Sequence, residues 1–458
     1  MPGGAVVTFY SYKGGVGRSF MLANVGAVLA EWGYHVVCVD WDLEAPGLSH
    51  YFRPWLDQHE PYGLVEFIKE ISTSERVPNS RRLRAPVNLP RIKGQLHLVR
   101  AGIQDDSYTR RMQEIDWAGL YERHNLGLTI ESLRAEWINQ YDFVLVDSRT
   151  GITDIGGICT VQLPDILVFM FTANEQSLDG AIDVVQRSIK ARQLLPYDRG
   201  QLLALPVPSR FESRVEYARA TQWKERFAKS LDSFYTNWAT RETTAGQILE
   251  RTTVPNFPYW SFGEELPVIE QSNRDLDSVG YHCETVAALI AHRLIKSDLL
   301  IESRDSYVDA AMRAGLRRGR YDYDVFISYA KGSASEEAAS QLASMLSQNL
   351  RVFRDVDTLV PGSEFSAEIE SALNRSRYMI ALISSSPSRW QEREINSFMK
   401  QTLDDASDRT VFPILVGGAS PEDLPSLLRS RIAFTVADEQ SLASIAHEVI
   451  ERTHSVEK

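Results

Sequence analysis

The residues best suited to chemistry near the start of the chain form one run, Lys13-Gly14-Gly15-Val16-Gly17-Arg18-Ser19. The apolar residues before it predict a buried strand, and the spacing of apolar residues after it predicts a helix. Glycines let backbone N–H groups turn inward around an anion, and the start of a helix adds positive charge. The hydroxyl of Ser19 is suited to Mg²⁺. The run therefore predicts a nucleotide phosphate site, with a glycine turn that binds nothing as the alternative.

Three acids follow predicted strands. Asp40 and Asp42 come at the end of an apolar run that begins at His35, and Asp147 ends the apolar run from Tyr141. Carboxylates at the carboxyl edge of a parallel sheet lie where ligands bind. We expect Asp147 to hold magnesium through its water shell. Solvated acids at strand ends are the alternative interpretation.

The glycine run departs from the common phosphate-loop pattern, since Tyr12 and Arg18 replace a glycine and a lysine. With its early lysine and double glycine it resembles the deviant Walker A family of ParA- and MinD-like ATPases. The resemblance implies a sandwich dimer in which Lys13 reaches the partner's nucleotide. It implies that Arg18 takes the usual phosphate position and that Asp42 orients the attacking water. Because a guanidinium does not replace an ammonium, we expect firm binding rather than fast hydrolysis.

The resemblance assigns two sets of residues. ATP is expected at Lys13, Gly14, Gly15, Val16, Gly17, Arg18, Ser19 and Asp42. Mg²⁺ is expected at Ser19, Asp40 and Asp147.

Length and composition set further bounds. A chain of 458 residues is long enough for two or three domains. Its net charge of −12 argues against a specific nucleic-acid partner, because nucleic-acid binding needs a basic surface. The three cysteines have neither metal nor disulfide spacing, and no apolar run reaches membrane-spanning length. We therefore expect a cytoplasmic protein that does not bind membranes.

The alternation of strands and helices predicts an α/β protein with two domains. Residues 1–300 are expected to form a ParA/MinD-like P-loop NTPase domain with a mostly parallel sheet. Residues 301–320 are polar and end in several arginines, which predicts a basic linker. Residues 321–458 carry five short strands alternating with helices, which suits a flavodoxin-like parallel sheet.

Several motifs of this last region resemble a TIR domain. They are the run from Asp324 to Tyr329, the loop 355–362 and the run from Trp390 to Glu394. In enzymatic members of that family a glutamate four residues after this tryptophan cleaves NAD, and adaptor members lack the activity. The resemblance thus implies Glu394 as the catalytic residue. We expect NAD to be bound by Ser328, Tyr329, Lys331, Asp357 and Trp390.

One carboxylate is sufficient for this chemistry. Nicotinamide leaves as a neutral base, so the ribose, which becomes cationic, needs a nearby negative charge. We therefore expect an NAD hydrolase that yields ADP-ribose or a cyclic product. ATP-dependent dimerisation or assembly would control it, and bacterial antiphage defence is the role implied by analogy. The alternatives are an ATP-dependent scaffold with a non-catalytic interaction domain, and a scaffold that Arg18 locks in its nucleotide-bound state.

Overall fold

The computed structural model describes residues 4–56, 62–73, 78–151, 157–196, 199–212, 217–261, 263–271, 274–319, 321, 323–347, 349–354, 369, 372–385, 389–402, 409–429, 431–436 and 438–455. The chain divides into two compact units, Gly4–Leu316 and Arg317–Lys458. Both are α/β, as the sequence predicted.

The first unit is built on a sheet that has seven strands within its described residues. They are β1 (Ala5–Ser11), β2 (His35–Asp40), β3 (Arg84–Pro86), β4 (Gln95–Val99), β5 (Phe143–Asp147), β6 (Ile166–Phe171) and β7 (Leu203–Pro208). Their order is β3-β4-β2-β5-β1-β6-β7, and every pair is parallel except β3 with β4. This is the mostly parallel sheet that the sequence predicted.

Helices cover both faces of this sheet, which is why β1 and β5 are buried at every residue and consist mostly of apolar side chains. The helices are α1 (Arg18–Glu31), α2 (Leu48–Phe52), α3 (Leu64–Thr73), α4 (Tyr108–Gln113), α5 (Trp117–Arg123), α6 (Leu126–Gln140), α7 (Glu175–Arg192), α8 (Tyr217–Tyr235), α9 (Ala245–Thr252), α10 (Pro267–Glu270), α11 (Val279–Ala291), α12 (Ser297–Glu302) and α13 (Arg304–Gly319). Short 3-10 helices span Arg53–Trp55, Ser80–Leu83 and Pro258–Ser261, and a π-helix spans Ile158–Gln162.

Helix α13 occupies most of the segment that the sequence predicted as a basic linker. Its Tyr307 and Ala311 are fully buried in the largest core of the first unit. The hydroxyl of Tyr34 donates a 2.8 Å hydrogen bond to the carbonyl of Ala311. At the next turn Gly315 lies so close to Trp32 that a Cβ would come within 2.6 Å of its carbonyl oxygen. The helix up to residue 316 thus belongs to the packed first unit.

The second unit has a five-stranded parallel sheet within its described residues. The strands are β8 (Tyr323–Ser328), β9 (Val352–Phe353), β10 (Ser376–Ile383), β11 (Thr410–Leu415) and β12 (Phe434–Thr435), and the helices include α14 (Ala334–Leu346), α15 (Arg389–Thr402) and α16 (Glu439–Ser455). The strand order β12-β11-β10-β8-β9 is the flavodoxin-like order. Its two faces carry separate apolar cores, one with α14 and α16 and the other with α15.

Within the described residues, none of the helices combines the length and the apolar character needed to cross a bilayer.

Candidate functional site

The phosphate loop leads from β1 into α1, as the glycine run predicted. Gly15 and Gly17 have φ values of 76° and 89°, in the left-handed region that favours glycine. A Cβ at Gly14, Gly15 or Gly17 would meet nothing within 4 Å, so backbone conformation and not crowding requires glycine at the last two positions. Helix α1 has no side-chain cap and no acid in its first turn. Its first N–H groups therefore lack a competing anion from their own helix.

A cavity of about 470 Å³ opens beside this loop, a size typical of small-molecule sites. The residues from Gly14 to Ser19 form one wall, together with Asp42 and Thr150. Arg210 and a second segment also line the cavity, the latter with Val254, Pro255, Asn256, Phe257 and Trp260. The lining thus combines backbone donors with apolar and amide groups, which suits a nucleotide.

The three acids meet at the carboxyl edge of the sheet. Strands β2 and β5 are paired so that Asp40 lies opposite Asp147. Asp40 is fully buried, and one of its oxygens accepts a 3.1 Å hydrogen bond from the backbone N–H of Leu48. Burial, together with the nearby Asp147 carboxylate, raises the pKa of Asp40 well above its usual range. Burial also raises the pKa of Asp147, although Arg18 opposes that rise.

The guanidinium of Arg18 contacts two of these acids. Its Nε donates to Asp147 Oδ1 at 2.5 Å, and its Nη2 donates to Asp42 Oδ2 at 2.8 Å. The Arg18 side chain is 7% exposed, and those of Asp42 and Asp147 are 11% and 1% exposed. The remaining nitrogen, Nη1, is buried and has no hydrogen-bond partner among the residues that the structure describes. The resemblance implied a phosphate role for this residue, whereas its guanidinium bridges two carboxylates.

This arrangement does not fit the magnesium site that the sequence predicted at Ser19, Asp40 and Asp147. Asp147 is already paired with Arg18, and one oxygen of Asp40 is held by the backbone N–H of Leu48. Across the part of the chain that the structure describes, no three acidic, histidine or cysteine side chains are grouped to hold a metal ion. Ser19 lines the cavity, and its side chain hydrogen-bonds the carboxylate of Asp147, so these two predicted residues do lie together beside Arg18.

Two other polar residues, in the loops that follow β1 and β5, also have defined surroundings. Lys13 is half-buried and is not among the described residues that line the cavity. Arg149 forms an ion pair with Glu44.

A second polar site lies at the carboxyl end of β8 in the second unit. The hydroxyl of Ser328 donates a 2.6 Å hydrogen bond to Glu394 Oε2 on α15, and Glu394 is half-buried. The neighbouring Gln391 is fully buried, and its Nε2 donates to the carbonyls of Ser328 at 3.2 Å and Leu382 at 2.8 Å. These bonds attach α15 to both β8 and β10. They fix the carboxylate of Glu394 at the ligand edge of the sheet.

Comparison with known proteins agrees with this fold. Residues 325–447 match the family model described as a TIR domain. This part of the chain is a TIR domain. Among solved structures it is similar to the TIR domain of the Toll-related receptor TRR-2 of Hydra magnipapillata, at 18% identity and a TM-score of 0.24, over 29% of this chain and 98% of that one.

The part of the chain before the TIR domain is similar to P-loop ATPases of the ParA and MinD type. The "Probable plasmid-partitioning protein ParA" of Thermus thermophilus is 26% identical over 213 residues, 46% of this chain and 59% of that protein. The chain thus spans less than two thirds of this relative's length. The septum site-determining protein MinD of Pyrococcus horikoshii, solved with Mg-ADP, is 16% identical over 64% of this chain and 99% of that one, with a TM-score of 0.43.

The structure brings together some of the residues predicted for the TIR domain. Ser328 and Glu394 are in contact, Tyr329 is buried directly after β8, and Lys331 is exposed two residues further on. Asp357 and the side chain of Trp390 lie outside the described residues. The motifs did not identify Gln391, and the signal available in the sequence was a glutamine directly after the tryptophan of a predicted helix.

Sequence reasoning also missed part of the lining of the nucleotide cavity, since it assigned no ligand role to the segment from Val254 or to the loop around Arg210. Asn256 and Phe257 both line the cavity. The pairing of Phe211 with Pro255 brings the two segments together. The clustering of aromatic residues and prolines after a strand was the available signal.

Proposed function

We propose that the chain is an NAD hydrolase whose TIR domain is controlled by ATP-dependent self-association of the N-terminal unit. The observation that carries the proposal is the contact between Ser328 and Glu394, a half-buried carboxylate held at the ligand edge of the TIR sheet. The phosphate loop and its cavity of about 470 Å³ support ATP as the controlling ligand.

The chemistry follows from the position of Glu394. As the bond between nicotinamide and ribose breaks, its electron pair leaves with nicotinamide and the ribose carbon becomes cationic. A carboxylate held beside that carbon stabilises the cation. Ser328 and Gln391 prevent the carboxylate and its helix from turning away, which removes a reorganisation cost during the reaction. Attack by water then gives ADP-ribose, and attack by an adenine nitrogen gives a cyclic product.

Control by assembly rests on the N-terminal unit. The bound nucleotide would lie between the phosphate loop and the segment around Asn256. Lys13 lies outside the described cavity wall, which is compatible with contact to a nucleotide bound by a second copy. Assembly of two or more copies would bring TIR domains together. In a bacterial cytoplasm the resulting loss of NAD would limit phage growth. The test compares the plating efficiency of phage on cells that carry the parent chain with that on cells that carry the Glu394→Gln chain.

The direct test measures NAD consumption by the purified full-length chain with and without ATP. Glu394→Gln keeps the shape of the side chain and removes its charge, so we expect turnover to fall by at least about a hundredfold. Glu392→Gln is the matched control, because Glu392 is an exposed acid on the same helix. Intact NAD in the parent under every condition, including high protein concentration, would reject the catalytic proposal. Equal losses in both variants would reject the role of Glu394.

A non-catalytic scaffold is the second candidate. The pairing of Arg18 with Asp42 and Asp147 favours a long-lived ATP-bound assembly, because acids held by a guanidinium are poorly placed to activate the water that hydrolyses ATP. Such a scaffold would bind ATP, assemble and leave NAD intact. Light scattering with ATP, combined with the NAD assay, distinguishes the two candidates.

A further inference from the structure

The contacts of Arg18 bear on which cation serves the nucleotide site. In P-loop NTPases, a serine or threonine of the loop and an acid at the end of a nearby strand hold the Mg²⁺ that neutralises phosphate charge. Here the positively charged group at that acid is the guanidinium of Arg18, with Nε on Asp147 and Nη2 on Asp42. The chain therefore supplies its own cation at the place where a metal would be expected.

The third nitrogen of Arg18 distinguishes a ligand site from a purely structural ion pair. Within the described part of the chain Nη1 is buried and has no hydrogen-bond partner, and Arg18 lines the cavity beside the glycine loop. An unsatisfied buried donor destabilises the folded chain, and it does so more strongly when the group is charged. An anionic oxygen in the cavity would satisfy it. Two nitrogens of one planar group would then neutralise the acids while the third binds phosphate, a geometry that lysine does not offer.

We propose that the Arg18 guanidinium takes the place of Mg²⁺, so that this chain binds a nucleoside triphosphate without a divalent cation. The inference rests on the proposed ATP binding and deepens it. Magnesium requires near-octahedral oxygen ligands at about 2.0–2.1 Å and gives up its waters reluctantly. Both acids already have an oxygen at hydrogen-bond distance from Arg18, and the side chain of Asp147 is 1% exposed. A metal bound at Asp147 would therefore lie beside a permanently charged group at a buried position.

The test is the affinity of the full-length chain for ATP, measured by isothermal titration calorimetry with millimolar MgCl₂ and with excess EDTA. We expect the parent to bind metal-free ATP within about threefold of its affinity in MgCl₂, or more tightly. In Arg18→Lys the ammonium contacts one acid at most, so the site regains a need for the metal. EDTA should then weaken binding by at least about tenfold.

Arg134→Lys is the matched control. Arg134 is also buried and is paired with an acid, Asp165, but it does not line the cavity wall within the described residues. It should keep the metal independence of the parent. This control separates an effect of Arg18 on the ligand from a general effect of replacing a buried arginine.

The outcomes separate this inference from the proposed function. Binding by the parent in MgCl₂ that is lost in EDTA would overturn the inference and leave ATP binding intact. Metal-independent binding by Arg18→Lys would also overturn it, because Arg18 would not be the source of the effect. No binding of ATP in either buffer would reject the proposed ATP site together with the inference. If Arg18→Lys fails to fold, the comparison of the parent in the two buffers still shows whether ATP binding requires a divalent cation.

Discussion

Replacing Arg18 by methionine tests how far this residue holds the first unit together. The change keeps most of the side-chain volume and removes the charge. It leaves Asp42 and Asp147 buried without their cation, since their side chains are only 11% and 1% exposed. Breaking a buried ion pair by removing one partner costs about 3–5 kcal/mol. We expect the free energy of unfolding to fall by about 3 kcal/mol at pH 8, the lower end of this range, because Asp147 can take up a proton instead of remaining charged.

Urea unfolding followed by tryptophan fluorescence measures this loss. Of the nine tryptophans, only Trp390 lies outside the first unit, so the signal reports mainly on the unit that contains Arg18. With an m-value of about 3 kcal/mol/M, the midpoint should fall by about 1 M. Arg226→Met is the control, since Arg226 pairs with acids on the exposed surface, and its midpoint should match that of the parent.

The loss should also depend on pH. Burial raises the folded-state pKa of Asp147, and removal of Arg18 raises it further. A carboxyl group with a raised folded pKa is protonated more readily when folded, so the variant regains stability relative to the parent as pH falls. The difference between the two midpoints should narrow between pH 8 and pH 5. Equal midpoints at pH 8, or a difference that does not change with pH, would refute the assignment of a buried charged bridge.

Three further predictions concern other parts of the chain. Ser328→Ala removes the hydrogen bond to the TIR carboxylate, so NAD turnover should fall about tenfold with little change in the unfolding midpoint; unchanged turnover would exclude a positioning role. Burial lowers the pKa of His282 to about 4, so the parent should lose about 2 kcal/mol of stability relative to His282→Phe between pH 8 and pH 5, measured by urea unfolding at both values; parallel pH profiles would contradict this. Gly315→Ala should loosen helix α13 and speed its amide exchange, because the Cβ would lie 2.6 Å from a backbone oxygen, whereas Gly246→Ala meets only a methyl group at 4.0 Å and should leave exchange unchanged.

The central sheet of the first unit was predictable because a strand covered on both faces has to be apolar along its length. Strands β1 and β5 follow this rule, and the sequence predicted both. Strand β3 was not predicted, since Arg84–Pro86 is a short edge strand with a proline and no apolar pattern. Its pairing with β4 depends on tertiary contacts that no local pattern records.

Helix α13 shows a second limit of sequence reasoning. Its many charged residues predicted a solvated linker, and most of its side chains are indeed polar or small. Yet two positions one turn apart, Tyr307 and Ala311, are fully buried, and a glycine at the following turn allows close contact with the first unit. A narrow stripe of small and aromatic residues is enough to dock a helix when its partner surface already exists. That surface is formed by residues near Trp32, far away in the sequence.

In the candidate sites, too, local sequence patterns predicted some features, whereas others depend on tertiary contacts. Motifs located Glu394 and the phosphate loop, because these positions are defined by residue type and spacing. The partner of each charged group depends on the three-dimensional structure and could not be read from the sequence. Among these partners, those of residue 18 are the most affected by the presence of arginine in place of lysine. A lysine at position 18 would present one ammonium to phosphate, whereas the arginine has enough nitrogens to bridge Asp42 and Asp147 and still retain one donor. One residue thus links the stability of the sheet edge, the charge of the nucleotide site and its requirement for metal. Stability and ATP affinity measured on the same Arg18 variants should therefore change together.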